Sequence, residues 1–254
     1  MMYAEERQQT IIARARAEGR VDVASLAAEL DVTTETVRRD LTTLERQGLL
    51  RRVHGGAIPF ERLGFEPGLA SRDAVMVAEK ERIANAALAY LPVEGTILLD
   101  AGTTTARLAE VLPAERELIA VTNALPIALT LSVRPNLTVL TVGGRIRGGT
   151  LAAVDAPALD MLRDLYVDVA FLGANGVSVE RGLTTPDLAE AAVKRAMLRA
   201  GRRRVLLADH TKVGPAQLAR FGAVGDLDVL VTDTGLDRRR AVELEAAGPR
   251  VVRA

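Results

Sequence analysis

Residues 33–53, TTETVRRDLTTLERQGLLRRV, decide how the first part of the chain folds. Thr33 is a good residue to precede a helix, because its side-chain oxygen can accept a free amide of the first turn. Val37, Leu41 and Leu44 then recur at the spacing of a single helical face. The stretch therefore predicts an amphipathic helix that begins at the threonines and buries one apolar stripe.

The opposite face of the same helix is polar and rich in hydrogen-bonding groups. Such a face suits a helix that lies in the major groove with its N-terminal half against base edges. We predict that this helix contacts DNA through Thr33, Thr34, Glu35, Thr36, Arg38, Arg39 and Thr42.

The segment after the helix has the pattern of a β-wing. Gly48 is typical of a residue that ends a helix. Residues 49–53 are short and apolar with two arginines inserted, and Gly55 and Gly56 close the segment. We expect the wing to reach DNA phosphates through Arg51, Arg52 and His54.

A second short helix, predicted over residues 23–30 (VASLAAEL), precedes the amphipathic helix by a tight turn. Two short helices so arranged are typical of a helix-turn-helix, although the periodicity by itself also fits an ordinary exposed helix. Charge adds little, since residues 1–58 contain nine Arg and nine acidic residues. The pattern, more than the electrostatics, favours DNA binding.

Over roughly its first 58 residues the chain resembles the DeoR-type transcriptional regulators. The most specific parts are TVRRDL at residues 36–41 and RVHGGA at residues 52–57. The resemblance implies a winged helix-turn-helix domain over residues 1–58 that binds double-stranded operator DNA.

Composition narrows the possible functions. The hydrophobic content of 48% is enough for a core, but aromatic residues make up only 3%. With no Cys and two His, thiolate metal sites are excluded and we expect neither a metal nor a cofactor. The N-terminus is charged and no apolar run reaches the ~18 residues of a membrane span, so we expect a cytoplasmic protein that does not interact with membranes.

From residue 74 onward, apolar strands alternate with amphipathic helices. Continuous Val/Leu/Ile strands in such an alternation predict an α/β fold with a doubly wound, mostly parallel sheet and helices on both faces. Residues 55–72 are rich in Gly and Pro and show no period, which is typical of a linker. Because the DNA-binding domain is expected to end at residue 58, we place the linker at 59–73 and a sensing domain at 74–254. A first helix of that domain is predicted over residues 74–91.

Small, polar or glycine residues follow five predicted strands. Ligands in doubly wound sheets bind at the carboxyl ends of the strands, and a Gly followed by hydroxyl residues at a helix N-terminus is typical of an anion site. The convergence predicts a site for a phosphate-bearing ligand. Its candidate residues are Asp100, Gly102, Thr103, Thr104, Thr105, Asn123, Gly143, Gly144, Asn175, Glu190, Lys194, Asp209 and Lys212.

Lysine is rare in this chain: of 33 basic residues only Lys80, Lys194 and Lys212 are Lys. Lys194 has the i, i+4 spacing of a surface ion pair with Glu190, which would contribute only a few tenths of a kcal/mol. We favour a ligand role for Lys194 or Lys212, because a compact ammonium suits a phosphate or a sugar hydroxyl.

The second part of the chain resembles the C-terminal sensor domain of the DeoR-type regulators, in LLDAGTTT, VTN, GGRIR, DVAFLGANGV, GLTTPDLAEAAVKRAM and LLADHTKVG. The resemblance implies a fold similar to ribose-5-phosphate isomerase, a phosphorylated sugar as effector, and a phosphate held at residues 102–105. Lys194 and Lys212 fall at the family's motif lysines. Asp155 stands where the family often has Gly, and it would either face the pocket or cap the following helix.

An enzyme of the sugar-phosphate isomerase class with a DNA-binding head is the alternative. Isomerisation needs a carboxylate base, and the fourth strand here leads into Gly173-Ala174-Asn175-Gly176, which supplies none. We therefore predict a non-catalytic sensor: a repressor of sugar metabolism genes, released by its effector and acting as a homodimer or higher homo-oligomer. A purely architectural DNA-binding protein would not need so many polar residues at the sheet edge.

Overall fold

The computed structural model describes residues 3–59, 66 and 68–254. Within the chain two compact units separate, Met1–Val75 and Met76–Ala254. The first contains the predicted helix-turn-helix and the second contains the predicted sheet.

The first unit is a small bundle of helices with a wing. Its core is formed by apolar side chains from every element, among them the fully buried Ile11, Val37 and Leu41. Asp22 caps the second helix by accepting the amides of Ala24 and Ser25, and these backbone hydrogen bonds hold the pKa of Asp22 below its ordinary value. The elements are α1 (Ala4–Glu18), β1 (Val21–Asp22), α2 (Val23–Glu29), α3 (Thr34–Arg46), β2 (Leu50–Val53) and β3 (Gly56–Pro59).

The wing contains more of the chain than the sequence predicted. β3 pairs antiparallel with both β2 and β1, so residues 56–59 belong to the sheet. The expectation that residues 55–72 lack regular structure was therefore wrong at these four positions, of which only Pro59 falls within the linker predicted at 59–73. A further short helix, α4 (Leu69–Asp73), lies inside the predicted linker. Residues 60–65 and 67 of that linker lie outside the described residues.

The second unit is built on a seven-stranded parallel sheet with the order β15-β14-β12-β9-β4-β5-β6. β4 and β9, the first and fourth strands of this sheet along the chain, are neighbours, and the connections from them run in opposite directions. This is the topological switch point at which open α/β sheets bind ligands. The seven strands are β4 (Gly95–Leu99), β5 (Leu118–Thr122), β6 (Leu137–Thr141), β9 (Val167–Leu172), β12 (Gly201–Leu207), β14 (Val229–Thr232) and β15 (Arg250–Arg253).

Side chains alternate along each strand, so they point to both faces of the sheet, and helices packed on both faces bury them in two cores. Leu98 packs against one core that includes Met197, and Ile97 packs against the other core with Ile83. The prediction of a doubly wound sheet is confirmed. The helices of this unit are α5 (Val77–Ala87), α6 (Thr103–Glu110), α7 (Leu125–Ser132), α8 (Ala156–Arg163), α9 (Leu188–Ala200) and α10 (Arg238–Ala246).

Two small antiparallel sheets at the carboxyl edge were not predicted. One is the hairpin of β7 (Arg145–Arg147) and β8 (Ala152–Val154), and the other joins β10 (Gly176–Ser178), β11 (Gly182–Thr185) and β13 (Ala219–Gly222). The helix predicted over 74–91 is shorter: α5 begins after Met76, which has a left-handed φ of 56°, and a 3-10 turn follows its last residue.

Candidate DNA interface and effector site

The helix α3 presents the polar face predicted from the sequence. Thr33 is its N-cap, and the side-chain oxygen accepts the amide of Thr36 at 3.1 Å. Val37 and Leu41 are fully buried, which turns the polar face outward. Thr33, Thr34, Glu35, Arg38 and Arg39 are exposed, and Thr36 and Thr42 are half-buried.

The cations on this face differ in how strongly they are held. Arg38 lies 3.6 Å from the carboxylate of Glu35 one turn away, an exposed pair that costs little to open. For the guanidinium of Arg39, no partner is found among the residues that the structure describes. Of these two arginines, Arg39 is therefore the more available for a guanine edge or a phosphate.

The wing lies directly beside α3. The Arg52 side chain donates to the Thr42 hydroxyl at 3.1 Å, and the Arg52 amide donates to Glu45 at 2.9 Å. Arg51, Arg52 and His54 are all exposed. The structure thus brings the candidate residues of the helix and the wing onto adjoining surfaces.

One acidic residue of α3 has a structural role that the sequence did not reveal. Asp40 is buried and accepts hydrogen bonds from Arg7 at 2.6 Å and from Gln8 at 3.0 Å, both on α1. The hydrogen bond that Arg7 donates to Asp40 raises the pKa of the Arg7 guanidinium, although burial acts in the opposite direction. Asp40 therefore fixes α3 to α1, and its negative charge does not lie at the surface where it would repel DNA.

The effector candidates at the start of α6 form an uncapped helix N-terminus at the switch point. Gly102 is the N-cap, and no side chain caps the first amides. The hydroxyls of Thr103 and Thr104, both 8% exposed, make no hydrogen bond within the described ranges. The Thr105 hydroxyl instead bonds to the carbonyls of Asp100, at 2.6 Å, and Gly102, at 2.9 Å, so it shapes the loop.

Lys194 makes an ion pair that the sequence analysis did not predict. Its ammonium group donates to the carboxylate of Asp100 and to the Gly173 carbonyl at 3.0 Å, and Asp100 also accepts the Gly173 amide at 2.9 Å. The ammonium also lies 5.6 Å from the centre of the Phe221 ring. The i, i+4 surface pair with Glu190 is not formed; Lys194 bridges the ends of β4 and β9 and is itself buried.

Glu190 is the centre of a second buried cluster. Arg147 donates to it at 3.1 Å, the Thr150 hydroxyl bonds to the same carboxylate oxygen, and Thr185 lies at 3.4 Å from the other. Arg147 and Thr150 were not predicted as site residues. The sequence did not reveal their position, because the surrounding segment is rich in glycine and its strand of three residues is too short to show a period.

The remaining candidates at the ends of β5 and β6 organise the backbone. Asn123 accepts the Ala101 amide at 3.1 Å and donates to the Ala153 carbonyl at 3.2 Å. These bonds join the loop before α6 to the hairpin of β7 and β8. Gly143 is exposed. Gly144 has a φ of 136°, and a Cβ there would lie 2.4 Å from the Val154 carbonyl oxygen.

At the ends of β9 and β12 the candidates differ in availability. The Asn175 carboxamide accepts from Thr185 at 3.1 Å. Asp209 is buried and accepts the Thr211 amide at 3.0 Å. The ammonium group of Lys212 has no hydrogen bond or ion pair with any residue that the structure describes. Lys212, rather than Lys194, is the lysine whose charge is available to a ligand.

Asp155 does not cap α8, although it occupies the N-cap position. Its carboxylate pairs with Arg145 at 2.6 Å, and this hydrogen bond raises the pKa of the exposed guanidinium. The backbone of Asp155 has a φ of 76° and a ψ of −169°, a conformation that is essentially restricted to glycine and costs other residues ~1–3 kcal/mol. Of the two roles considered from the sequence, the capping role is excluded.

Comparison with known proteins bears on both units. The model of the DeoR-like helix-turn-helix domain matches residues 7–62, and the model of the DeoR C-terminal sensor domain matches residues 75–234. The chain belongs to the DeoR family of transcriptional regulators. Family membership confirms a winged helix-turn-helix that binds DNA and a sensor domain that takes a small-molecule effector.

Members of the DeoR family match this chain over nearly its full length. The HTH-type transcriptional regulator GlpR of Haloferax volcanii is 35% identical over 252 residues, covering 99% of this chain and 98% of that protein. The glycerol-3-phosphate regulon repressor of Escherichia coli is 31% identical, covering 91% of this chain and 92% of that protein. Among solved structures, a D-ribose-5-phosphate isomerase matches with a TM-score of 0.39 and 20% identity, covering 53% of this chain and 52% of that one.

These DeoR-family relatives are named as transcriptional regulators, which confirms the prediction that the chain is not an enzyme. In the described parts of this family member, no helix is long and apolar enough to cross a membrane.

Proposed function

We propose that this chain represses genes of carbohydrate metabolism, and that a phosphorylated sugar bound at the carboxyl edge of the sheet releases it from operator DNA. The observation that carries the proposal is the uncapped N-terminus of α6 at the switch point, where the hydroxyls of Thr103 and Thr104 have no hydrogen-bond partner among the described residues. The name of the Escherichia coli relative, a glycerol-3-phosphate regulon repressor, supports a phosphorylated carbon compound as the signal.

The start of α6 suits a phosphate for three physical reasons. The first amides of a helix have no partner within the helix. The helix dipole adds partial positive charge there. The side chains of Thr103 and Thr104 supply two further donors, and the ammonium of Lys212 follows the nearby strand β12. A dianionic phosphate would therefore satisfy groups that are otherwise left without partners.

The polar groups beyond this loop suit the hydroxyls of a sugar. Glu190, Asn175 and Asp209 follow neighbouring strands or begin α9 at the same edge. Carboxylate and amide oxygens accept hydrogen bonds from hydroxyls, and their present donors, such as Arg147 on Glu190, are ones that a ligand could replace. We assign Lys194 and Asp100 to the integrity of the site, because each already satisfies the other.

The DNA-binding part of the proposal rests on α3 and the wing. We assign base contacts to Arg39 and its neighbours on α3, and phosphate contacts to Arg51, Arg52 and His54. So few cations give a modest salt dependence per head. We infer that the protein acts as a homodimer or higher homo-oligomer in the cytoplasm, because two heads that read successive major grooves combine their binding free energies.

A triple variant, in which three changes are combined, tests the effector site. Thr103→Val combined with Thr104→Val removes two hydroxyls at nearly constant shape, and Lys212→Ala removes the free charge. Each lost charge-assisted hydrogen bond contributes ~1.5–3 kcal/mol, so the triple variant should need at least tenfold more sugar phosphate for half-release of operator DNA. Thr130→Val, the same change on the exposed face of α7, is the control. Release of the triple variant at the wild-type concentration would refute the assignment.

Arg39→Ala tests the groove assignment. Loss of a bidentate contact should weaken binding to an operator fragment by ~1–3 kcal/mol, measured by gel retardation. Arg239→Ala removes the same charge from an exposed position on α10 and should leave retardation unchanged. Unchanged retardation of the Arg39→Ala variant would contradict the assignment.

A further inference from the structure

A cleft opens on the sensor unit where α9 ends and β12 begins. Its volume is about 610 Å³, within the usual range of small-molecule sites. Four arginines line it together with Phe221 and Asp226: Arg195, Arg199, Arg204 and Arg220. We call this the arginine cleft.

The charge in the arginine cleft is only partly neutralised. Arg204 pairs with Asp228 through two hydrogen bonds, of 2.9 and 3.1 Å. The pairing raises the pKa of Arg204, and in Asp228 its hydrogen bonds outweigh burial and lower the pKa. With Asp226 as the second acid, four arginines and two aspartates leave an excess of two positive charges.

The three other guanidinium groups can still bind an anion. Arg195 donates to the Arg220 carbonyl at 2.8 Å, and Arg220 donates to the Gly222 carbonyl at 3.2 Å, so each keeps several N–H donors. Arg199 is exposed and has no partner in the part of the chain that the structure describes. The bonds to carbonyls orient the cleft without neutralising it.

The wall of the cleft is firmly placed, which favours a defined ligand. Phe221 is only 2% exposed and is packed beneath the ammonium of Lys194. Gly222 allows close packing there, because a Cβ would lie 2.6 Å from the Leu198 side chain. The packing of Phe221 and Gly222 holds the backbone of the cleft in place, while the guanidinium groups of Arg195, Arg199 and Arg220 are exposed to an incoming anion.

We propose that the arginine cleft is a second binding site, separate from the effector site, for a small phosphate-bearing ligand. Planar guanidinium groups with several donors match phosphate oxygens. The excess of two positive charges matches a phosphate dianion, and a volume of about 610 Å³ suits a metabolite rather than a duplex. The proposal does not depend on the effector site, since the two sites share no lining residue.

Pyrophosphate is a suitable probe, because it offers phosphate oxygens without a sugar. Binding would be measured by calorimetry on the full chain carrying Thr103→Val, Thr104→Val and Lys212→Ala, so that the proposed effector site does not contribute. We expect saturable binding of one pyrophosphate per chain. Adding Arg199→Ala and Arg220→Ala should weaken it at least tenfold, whereas adding Arg239→Ala should change it less than twofold.

The outcomes are decisive for the arginine cleft alone. Absence of saturable binding, or equal affinity in the Arg199→Ala and Arg220→Ala chain, would overturn the proposal. Arg199→Glu reverses one exposed charge without touching the core, and it should abolish binding while leaving the melting temperature unchanged. Failure of sugar phosphates to release operator DNA would refute the proposed function and leave this test unaffected.

Discussion

At the scale of single residues, burial decides what an acidic side chain does. In the sequence, Asp40 counts as one of three acids that weaken the positive charge of the DNA-binding stretch. In the structure it is paired with Arg7 inside the bundle. Burial also decides the role of a basic side chain: Lys194 pairs with Asp100, which lies 94 residues away, so no local spacing could reveal the pair.

Asp40→Ala should destabilise the first unit by ~3 kcal/mol, because it leaves the Arg7 guanidinium buried without its anion. Hydrogen exchange by mass spectrometry on the full chain should show the amides of α1 exchanging about a hundredfold faster. Glu35→Ala, an exposed acid on the same helix, should leave the exchange unchanged. Equal protection in both variants would show that the Arg7 pair does not hold α1 in place.

Asp233 gives a prediction that depends on pH. Burial alone would raise its pKa, but hydrogen bonds from the His210 and Gly235 amides and from the His210 ring lower it below the ordinary value. A carboxylate with a lowered pKa stabilises the fold above the ordinary pKa of about 4, and this stability is lost as the pH falls through the lower folded value.

Asp233→Asn should therefore cost ~1–3 kcal/mol at pH 7, where its hydrogen-bonded charge is lost, and less at pH 3. For a domain of this size the melting temperature falls by about 2–4 °C per kcal/mol. Asp160→Asn, which changes an exposed acid, controls for charge. A deficit that stays constant from pH 7 to pH 3 would contradict the role assigned to the carboxylate.

At the scale of elements, length determines what the sequence reveals. The helix α3 and six of the seven sheet strands were predicted, because each has a clear period or a continuous apolar run, whereas the edge strand β15 was not. The hairpin β7–β8 and the sheet β10-β11-β13 have strands of three or four residues, which are too short to show alternation. Arg147 lies on β7, Thr150 in the turn that follows it and Thr185 on β11, so no periodic pattern pointed to these contacts of Glu190.

The wing depends on one glycine for its pairing. A Cβ on Gly56 would lie 1.9 Å from the Val21 carbonyl oxygen, so β3 could not approach β1. Gly56→Ala should displace the wing and weaken operator binding more than tenfold in gel retardation. A Cβ on Gly68 would meet no described residue within 4 Å and the φ there is −57°, so the Gly68→Ala variant should bind as wild type does. Wild-type retardation by the Gly56→Ala variant would argue against a role for the wing.

At the scale of the whole molecule, strand order explains why distant residues form one site. Polar residues after successive strands predicted a shared edge, and the parallel sheet brings their backbones to that edge. The sequence could not predict which of these side chains remain available. Across the residues that the structure describes, the side chains of Thr103, Thr104 and Lys212 have no hydrogen-bond partner, whereas Lys194 pairs with Asp100 and Asn123 accepts the Ala101 amide.

The central claim is that a phosphorylated sugar releases this regulator from DNA. It is tested most directly by fluorescence anisotropy of a labelled DNA fragment from beside the protein's own gene, titrated with sugar phosphates and with the same sugars unphosphorylated. We predict that one sugar phosphate lowers the affinity for the fragment and that its unphosphorylated form, at equal concentration, does not. Specific binding of the fragment that no sugar phosphate changes, or equal release by both forms, would contradict the claim.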